Sequence, residues 1–331
     1  MRVGLLSDVH ANLPALQAAL ESLERRGVDQ LLVAGDLVGY GGQPNECLAT
    51  LADVGAHCVV GNHDQFVLDR LPATRFPALA RRSAELTRSM LTADSRAFLA
   101  RLPIRLQAGT LLVTHGSLDS IEEYVVDERR AVDLLSRLPY EAPGADTLVL
   151  GHTHRQWCVV AGRKPRRPSA GMDTPQERRR LVNPGSVGQS RQRERRPRCR
   201  FALYDTSGGQ IQFLRADYDV EASREVLRRL GLPDRCLHAP PRLHRQVIRA
   251  AARVMTRHRP IARPPRSEAR MRLAGLGARR PGQALARPSC MCPTTFGARS
   301  SYQMSSCVTG NGEAPSSETT SLSSTQRRPP C

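Results

Sequence analysis

Lysine is nearly missing from this chain: of 49 basic residues, Lys164 is the one that is not Arg. A skew of that size reflects the coding composition of the source rather than a functional code. Aromatic residues make up only 4%, too few for the stacking platforms on which single-stranded nucleic acid is usually held. No run approaches the ~18 apolar residues that a membrane-crossing helix requires. The nine cysteines are an odd number and form no Cys-x-x-Cys pair, while Cys290-Met291-Cys292 is spaced too tightly for a zinc knuckle. Reduced thiols in a cytoplasmic protein are the expectation. Residues 1–8 contain no long apolar stretch before charge appears, so a secretory leader is not expected either. What the chain does have is 331 residues of which 40% are hydrophobic, enough for one or two domains with a sizeable core.

The net charge of +18 is unevenly placed. Residues 237–331 carry 16 Arg against three Glu, and residues 163–180 carry seven basic against two acidic groups. These two segments hold the whole excess, so the remainder is formally neutral. A nucleic-acid partner would therefore have to be held by the tail, with an affinity that falls steeply with salt. In that tail Pro, Arg, Ser and Gly dominate, a composition that cannot bury enough apolar surface to offset its ordering entropy. Residues 237–331 are accordingly expected to be disordered. Within them, residues 238–257 could form a short basic amphipathic helix through Leu243, Val247, Ile248, Ala251 and Met255.

The first part of the chain alternates strand and helix. Residues 2–7 read as an apolar strand ending at Asp8, and residues 13–26 place Leu13, Leu16, Leu20 and Leu23 on one helical face. Residues 30–34 form a second strand ending in Gly35-Asp36. Residues 44–54 form a helix with Pro44 in its first turn, and residues 57–60 a third strand ending in Gly61-Asn62-His63-Asp64. Such a βαβαβ order predicts a largely parallel sheet covered by helices. Residues 76–102 read as two helices. After them the pattern returns to strands at 110–114, 147–150, 156–160, 200–205 and 210–215, and a helix at 220–230 closes the body at Gly231 and Pro233.

Nearly every one of these strands ends in a potential metal ligand: Asp8 with His10, then Asp36, Asn62 with His63, His115, and His152 with His154. In open α/β sheets the carboxyl ends of the strands are where loops converge on a ligand. Residues at i and i+2 leave a strand end on one side, so Asp8 and His10 can share a cation, and His152-Thr153-His154 repeats the arrangement. Asp36, alone after its strand, offers two oxygens to two cations, and Asn62 adds a neutral carbonyl oxygen. Carboxylate, imidazole and amide without thiolate suit manganese, iron or zinc in a reactive site rather than a structural zinc. Seven ligands are too many for one such ion and about right for two that share a bridge. Each motif alone is more often a turn or a coincidence; their joint order is what carries the reading.

The set Asp8-x-His10, Gly35-Asp36, Gly61-Asn62-His63-Asp64, His115 and Gly151-His152-x-His154 resembles the calcineurin-like metallophosphoesterase superfamily. The resemblance spans about residues 1–235. Asn183-Pro184-Gly185-Ser186-Val187-Gly188 and Pro44-Asn45-Glu46-Cys47 are similar to segments of its small bacterial and archaeal phosphodiesterase branch. It implies an α/β fold for residues 1–236, a four-layer α/β/β/α sandwich of two mixed sheets with a dimetal site on one edge. It also implies that Asp8, His10 and His154 bind one divalent ion, that Asn62, His115 and His152 bind the other, and that Asp36 bridges them. Manganese is the first expectation, with iron, zinc or nickel as alternatives. His63 matches the acid that assists the leaving group. Two cations about 3.5–4 Å apart hold a bridging hydroxide and clamp the phosphoryl oxygens, and a histidine near its ordinary pKa of ~6.5 donates the proton.

The chain also departs from relatives in this superfamily. The protein phosphatase branch and the diadenosine tetraphosphatases carry an Arg shortly after Gly-Asp, and the phosphatases carry another before Gly-Asn-His, where guanidinium forks onto phosphate. Residues 35–42 and 58–61 contain no Arg. The expected substrate is therefore a small organic or nucleotide phosphodiester. Phosphomonoesters, phosphoproteins and dinucleoside polyphosphates are the alternatives, together with a nuclease that uses the basic tail. The Arg-rich residues 163–180 read as a solvated surface loop, with a basic loop beside the active site that attracts anionic substrates as the alternative, and residues 191–200, near the same edge, are read in the same way. A non-catalytic scaffold would be expected to have lost ligands, yet all eight positions are present.

Overall fold

The computed structural model describes residues 1–162 and 179–240. All but the last two residues of the Arg-rich segment 163–180, the tail beyond 240 and all but the first three residues of the 238–257 helix lie outside them. In chain order the elements are β1 (Arg2–Leu6), α1 (Leu13–Glu24), β2 (Gln30–Val33), α2 (Pro44–Asp53), β3 (His57–Cys58), α3 (Asn62–Val67), α4 (Ala78–Met90) and α5 (Ala93–Arg101). They continue with β4 (Arg105–Ala108), β5 (Leu111–Thr114), α6 (Glu128–Glu141), β6 (Thr147–Val149), β7 (Trp157–Val160), β8 (Arg180–Asn183), β9 (Cys199–Asp205), β10 (Gln210–Ala216) and α7 (Val220–Arg229).

Among the described residues the strands make two five-stranded sheets, ordered β10-β9-β1-β2-β3 and β4-β5-β6-β8-β7. Both are mixed. β1, β2 and β3 run parallel with β9 antiparallel to β1, while β5, β6 and β8 run parallel and are flanked by antiparallel β4 and β7.

The period-two alternation of each strand sorts its side chains between two cores. In β1, Val3 and Leu5 join Leu32, Val113, Val149, Val182 and Phe213 between the sheets, whereas Leu6 faces the helices. In β5, Leu111 and Val113 face inward, while Leu112 packs outward with Leu134, Leu135 and Leu138 of α6. Helices α1 to α5 and α7 cover the outer face of the first sheet, and α6 covers that of the second. This is the expected four-layer α/β/β/α sandwich.

Local chemistry accounts for the helix ends. Asn12 caps α1 by accepting from Ala15 N (3.4 Å), Thr92 caps α5 and Asp127 caps α6. Three readings are corrected by the structure. Residues 115–146 contain α6, an element hidden in sequence because its apolar stripe of Ala131, Leu134, Leu135 and Leu138 is embedded among six charged residues. The strand at 57–60 is only two residues long, and Asn62 opens helix α3 rather than a turn. Arg180 does not belong to a solvated loop: it is fully buried in β8, donates to Thr147 Oγ1 (2.9 Å) and lies 5.6 Å from the Tyr204 ring. The packed chain runs past residue 236, since Leu237 is buried and Ala239 N donates to Ser190 O (2.9 Å). Among the described residues, Cys47, Cys58, Cys158, Cys199 and Cys236 are buried free thiols, and no helix is long and apolar enough to cross a membrane.

Candidate metal centre

The parallel strands of both sheets point their carboxyl ends at one edge. The loops that leave β1, β2, β3, β5 and β6 there bear Asp8 and His10, Asp36, Asn62, His115, and His152 with His154. These loops are hydrogen-bonded to one another. Asp8 N, His10 N and Ala11 N donate to the carbonyls of Gly35, Asp36 and Leu37, each at 3.0 Å, and Gly151 N donates to His115 O (2.8 Å). Asp8, His10, Asp36, His152 and His154 all have positive φ, between 49° and 65°. A non-glycine residue in that region costs about 1–2 kcal/mol, and it persists only where surrounding structure imposes it, as at binding sites.

The seven ligand candidates singled out from sequence come together. Ligand atoms of Asp8, His10, Asp36 and His154 lie within 4.8 Å of one another, and so do those of Asp36, His115 and His152. Asn62 Oδ1 stands 3.1 Å from His115 Nε2 and so joins the second group. Asp36 belongs to both.

Each imidazole is aimed by a backbone carbonyl. Nδ1 of His10 donates to Val38 O (3.1 Å), that of His154 to Gln189 O (2.8 Å) and that of His115 to Ala34 O (2.7 Å), while Nε2 of His152 donates to Glu122 O (3.1 Å). The other nitrogen of each ring is thereby turned to the centre. There the Nε2 atoms of His10 and His154 approach to 3.1 Å, and His115 Nε2 and His152 Nδ1 to 3.2 Å. Asp36 Oδ2 is buried without a well-directed hydrogen bond, 3.7 Å from His10 Nε2 and 3.3 Å from His115 Nε2. Converging nitrogen lone pairs around an unsatisfied buried carboxylate oxygen fit divalent cations, and the thiolate-free donor set fits a reactive centre.

Electrostatics point the same way. Burial pushes His152 down to about 3 and His10 and His154 well below their ordinary value, so these rings are neutral and ready to ligate. Burial alone would raise Asp36, but the fields of His115, His63 and His10 hold it well below the usual carboxylate range. His115 is the counterpart: burial would lower it, yet Asp36 and Asp8 lift it to about 9. Without a cation, a proton on His115 supplies the positive charge that the buried carboxylates call for. Burial and the charge of Asp36 raise Asp8 to about 7, against the opposing pull of His115.

His63 stands apart from both ligand groups. Its ring packs against His10 (centroids 4.9 Å apart), Tyr40 (4.8 Å) and Phe76 (5.3 Å), and its Nδ1 is buried without a partner. The ordinary pKa expected for it does not hold, because burial pushes the imidazole down to about 4 against the pull of Asp36.

Several contributors carry no ligand signal in sequence. Asp64 accepts from Gly61 N (2.8 Å), Leu37 N (2.9 Å) and Val38 N (3.1 Å), pinning the loops of Asp36 and Asn62 together. Its place in Gly61-Asn62-His63-Asp64 was the one available clue. Asn183 Nδ2 donates to Gly151 O (2.5 Å) and Thr153 Oγ1 (3.0 Å), setting the turn of His152 and His154. The ring of Tyr124 lies 3.9 Å from that of His152. Of the Arg-rich residues 191–200, Arg200 is buried in an ion pair with Glu194 (2.7 Å), and Arg191 Nη2 donates to Gln189 Oε1 (3.1 Å).

Comparison with known proteins agrees with this geometry. Residues 1–209 match the family model of the calcineurin-like phosphoesterase superfamily domain. The chain is 31% identical to a metallophosphoesterase from Sphaerobacter thermophilus, whose crystal structure aligns over 72% of this chain and 97% of that one with a TM-score of 0.60. A hypothetical protein from Pyrococcus horikoshii OT3 shares the fold at 21% identity, covering 71% and 96% of the two chains with a TM-score of 0.56. An uncharacterized protein of Methanocaldococcus jannaschii is 26% identical over 238 residues, 70% of this chain and 94% of its own. Fold, site and similarity together define a metallophosphoesterase, a hydrolase of phosphoric esters. The chain belongs to the calcineurin-like phosphoesterase superfamily, a family that implies divalent metal ions.

Proposed function

We propose that this protein is a phosphodiesterase that works with two divalent cations, manganese foremost. The observation that carries the reading is the pair of ligand groups meeting at Asp36. Asp8, His10 and His154 would hold one ion, Asn62, His115 and His152 the other, and Asp36 both. When bound, such a pair supplies Lewis-acid charge at the phosphoryl group and a nucleophile drawn from water at neutral pH.

The residues of the chain supply the rest. His10, His115, His152 and His154 keep their orientation through their carbonyl partners, so little reorganisation is needed on binding. His63, one residue from Asn62 and outside both ligand groups, is the proton donor to the leaving oxygen. The negative charge of a phosphoryl group beside it raises its pKa from about 4 toward neutrality, which is what donation requires. A diester is favoured because the loops that carry Asp36 and Asn62 contain no Arg. A doubly charged monoester would need more guanidinium support than a singly charged diester.

The test is hydrolysis of bis(p-nitrophenyl) phosphate against p-nitrophenyl phosphate, with Mn²⁺ or with EDTA, for wild type and His63→Ala. Diester turnover that depends on Mn²⁺ and falls about 10²–10⁴-fold in His63→Ala is the expected result. Monoester turnover exceeding diester turnover would refute the substrate assignment. Undiminished turnover in His63→Ala would refute the role of His63.

A further inference from the structure

The loop after β8 brings a guanidinium to the centre by a route that the motif loops do not provide. Its backbone is tied to the β1 loop: Val187 N donates to Ser7 O (3.0 Å) and Gly188 N to Asp8 O (2.9 Å). Gln189 O orients His154, and two residues later comes Arg191. Arg191 Nε and Nη2 reach Gln189 Oε1 at 3.3 and 3.1 Å, and the guanidinium neighbours the Tyr124 side chain. Gln189 is buried and anchored through Nε2, which donates to Arg235 O (2.9 Å). Tyr124 stacks on His152. The two groups that hold the guanidinium are thus attached to one histidine of each ligand group.

Arg191 thus sits on the loop that is tied to Asp8 O and that aims His154, at the edge of the ligand groups. Gln189 and Tyr124 are both neutral. A guanidinium partly withdrawn from water beside a centre able to hold two cations is repelled by them at short range. A bound anion reverses the sign of that interaction, and the planar fork of Arg matches phosphate oxygens.

We infer that Arg191 grips a non-bridging oxygen of the substrate phosphoryl group, aimed there by Gln189 and Tyr124. The inference rests on the phosphoesterase reading above and adds the residue that recognises the phosphate. A single guanidinium, delivered by a segment other than the Arg-free motif loops, suits the single negative charge of a diester.

The test compares full-length wild type, Arg191→Gln, Arg191→Lys and Tyr124→Phe, each loaded with Mn²⁺ and with its metal content measured. One readout is kcat/KM on bis(p-nitrophenyl) phosphate. The other is calorimetric affinity for inorganic phosphate, which requires no turnover. Arg191→Gln is expected to weaken phosphate binding about 10–100-fold with metal content unchanged, the loss of a charged hydrogen bond. Arg191→Lys should recover only part, since an ammonium cannot fork. Tyr124→Phe, which keeps the ring on His152, should weaken phosphate a few-fold. Phosphate affinity in Arg191→Gln within about twofold of wild type overturns the inference. If that variant loses its metal, metal-loaded Arg191→Lys decides, and wild-type phosphate affinity there overturns it too. Phosphate binding that depends on Arg191 in a wild-type protein turning over neither ester supports this assignment while removing the catalytic reading.

Discussion

Asp64 is the residue whose removal tests most directly how the centre is held. Its carboxylate accepts from Gly61 N, Leu37 N and Val38 N, and it is fully buried. Asp64→Ala leaves three buried N–H donors unmet, each worth about 1–3 kcal/mol. Relief of the buried carboxylate and entry of water return part of this, so a net loss of about 3–5 kcal/mol is expected. At about 2–4 °C per kcal/mol for a body of this size, thermal unfolding should fall by roughly 10 °C. Stability alone does not isolate the argument, because Asp64 ties the loop of Asp36 to that of Asn62. Mn²⁺ affinity, measured by calorimetry well below the new transition, should also drop about 10–100-fold, as when groups that orient ligands are lost. Asp64→Asn keeps one acceptor oxygen and should fall between. A variant Asp64→Ala within about 1 kcal/mol of wild type that binds Mn²⁺ equally well would refute the reasoning.

Two further outcomes follow from the same geometry. A Cβ at Gly151 would lie 2.7 Å from Ala34 O and collide with Ser7 Oγ, so Gly151→Ala should cost about 1–3 kcal/mol by overpacking and impair Mn²⁺ binding, read by calorimetry, by displacing His152 and His154. The stability of the metal-free protein should depend on pH through its buried imidazoles. His63 and His152 have folded pKa values of about 4 and 3, and His10 and His154 are also depressed. The unfolded chain, with ordinary values near 6.5, therefore binds more protons below neutrality. Asp8 and Asp64, each raised to about 7, oppose this with two protons, and His115, lifted to about 9, adds stability that is lost as pH rises from about 6.5 through 9. The balance makes denaturant stability greatest near pH 6.5 and decreasing as pH falls toward 4. Stability that rises over that interval would show that these rings are not buried neutral.

The order of chemistry along the chain was legible because each parallel strand ends in its ligand: Asp8, Asp36, Asn62, His115 and His152 each stand just beyond an apolar run, and the two i, i+2 pairs advertise themselves locally. The βαβαβ half of the fold was equally local, written in the leucine periodicity of α1 and the proline at the start of α2. What could not be read was whatever depends on two distant segments meeting. Asp64 looks like a turn former until the backbone N–H groups of Leu37 and Val38 are brought against it. The stripe of α6 makes sense only beside Leu112, Leu148 and Leu181. Arg180 and Arg191 both sit in runs of basic residues with the look of solvated surface, yet one is buried in a β-sheet and the other is held by Gln189, whose carbonyl aims His154. The pKa of His63 belongs to this second kind, since burial is a property of the packed layers and not of the motif. Sequence by itself determined which donor atoms are present and that they leave strand ends in a set able to hold two cations. Tertiary structure decided their aim, their protonation and the guanidinium beside them, because orientation, desolvation and long-range field exist only once the two sheets have closed on each other.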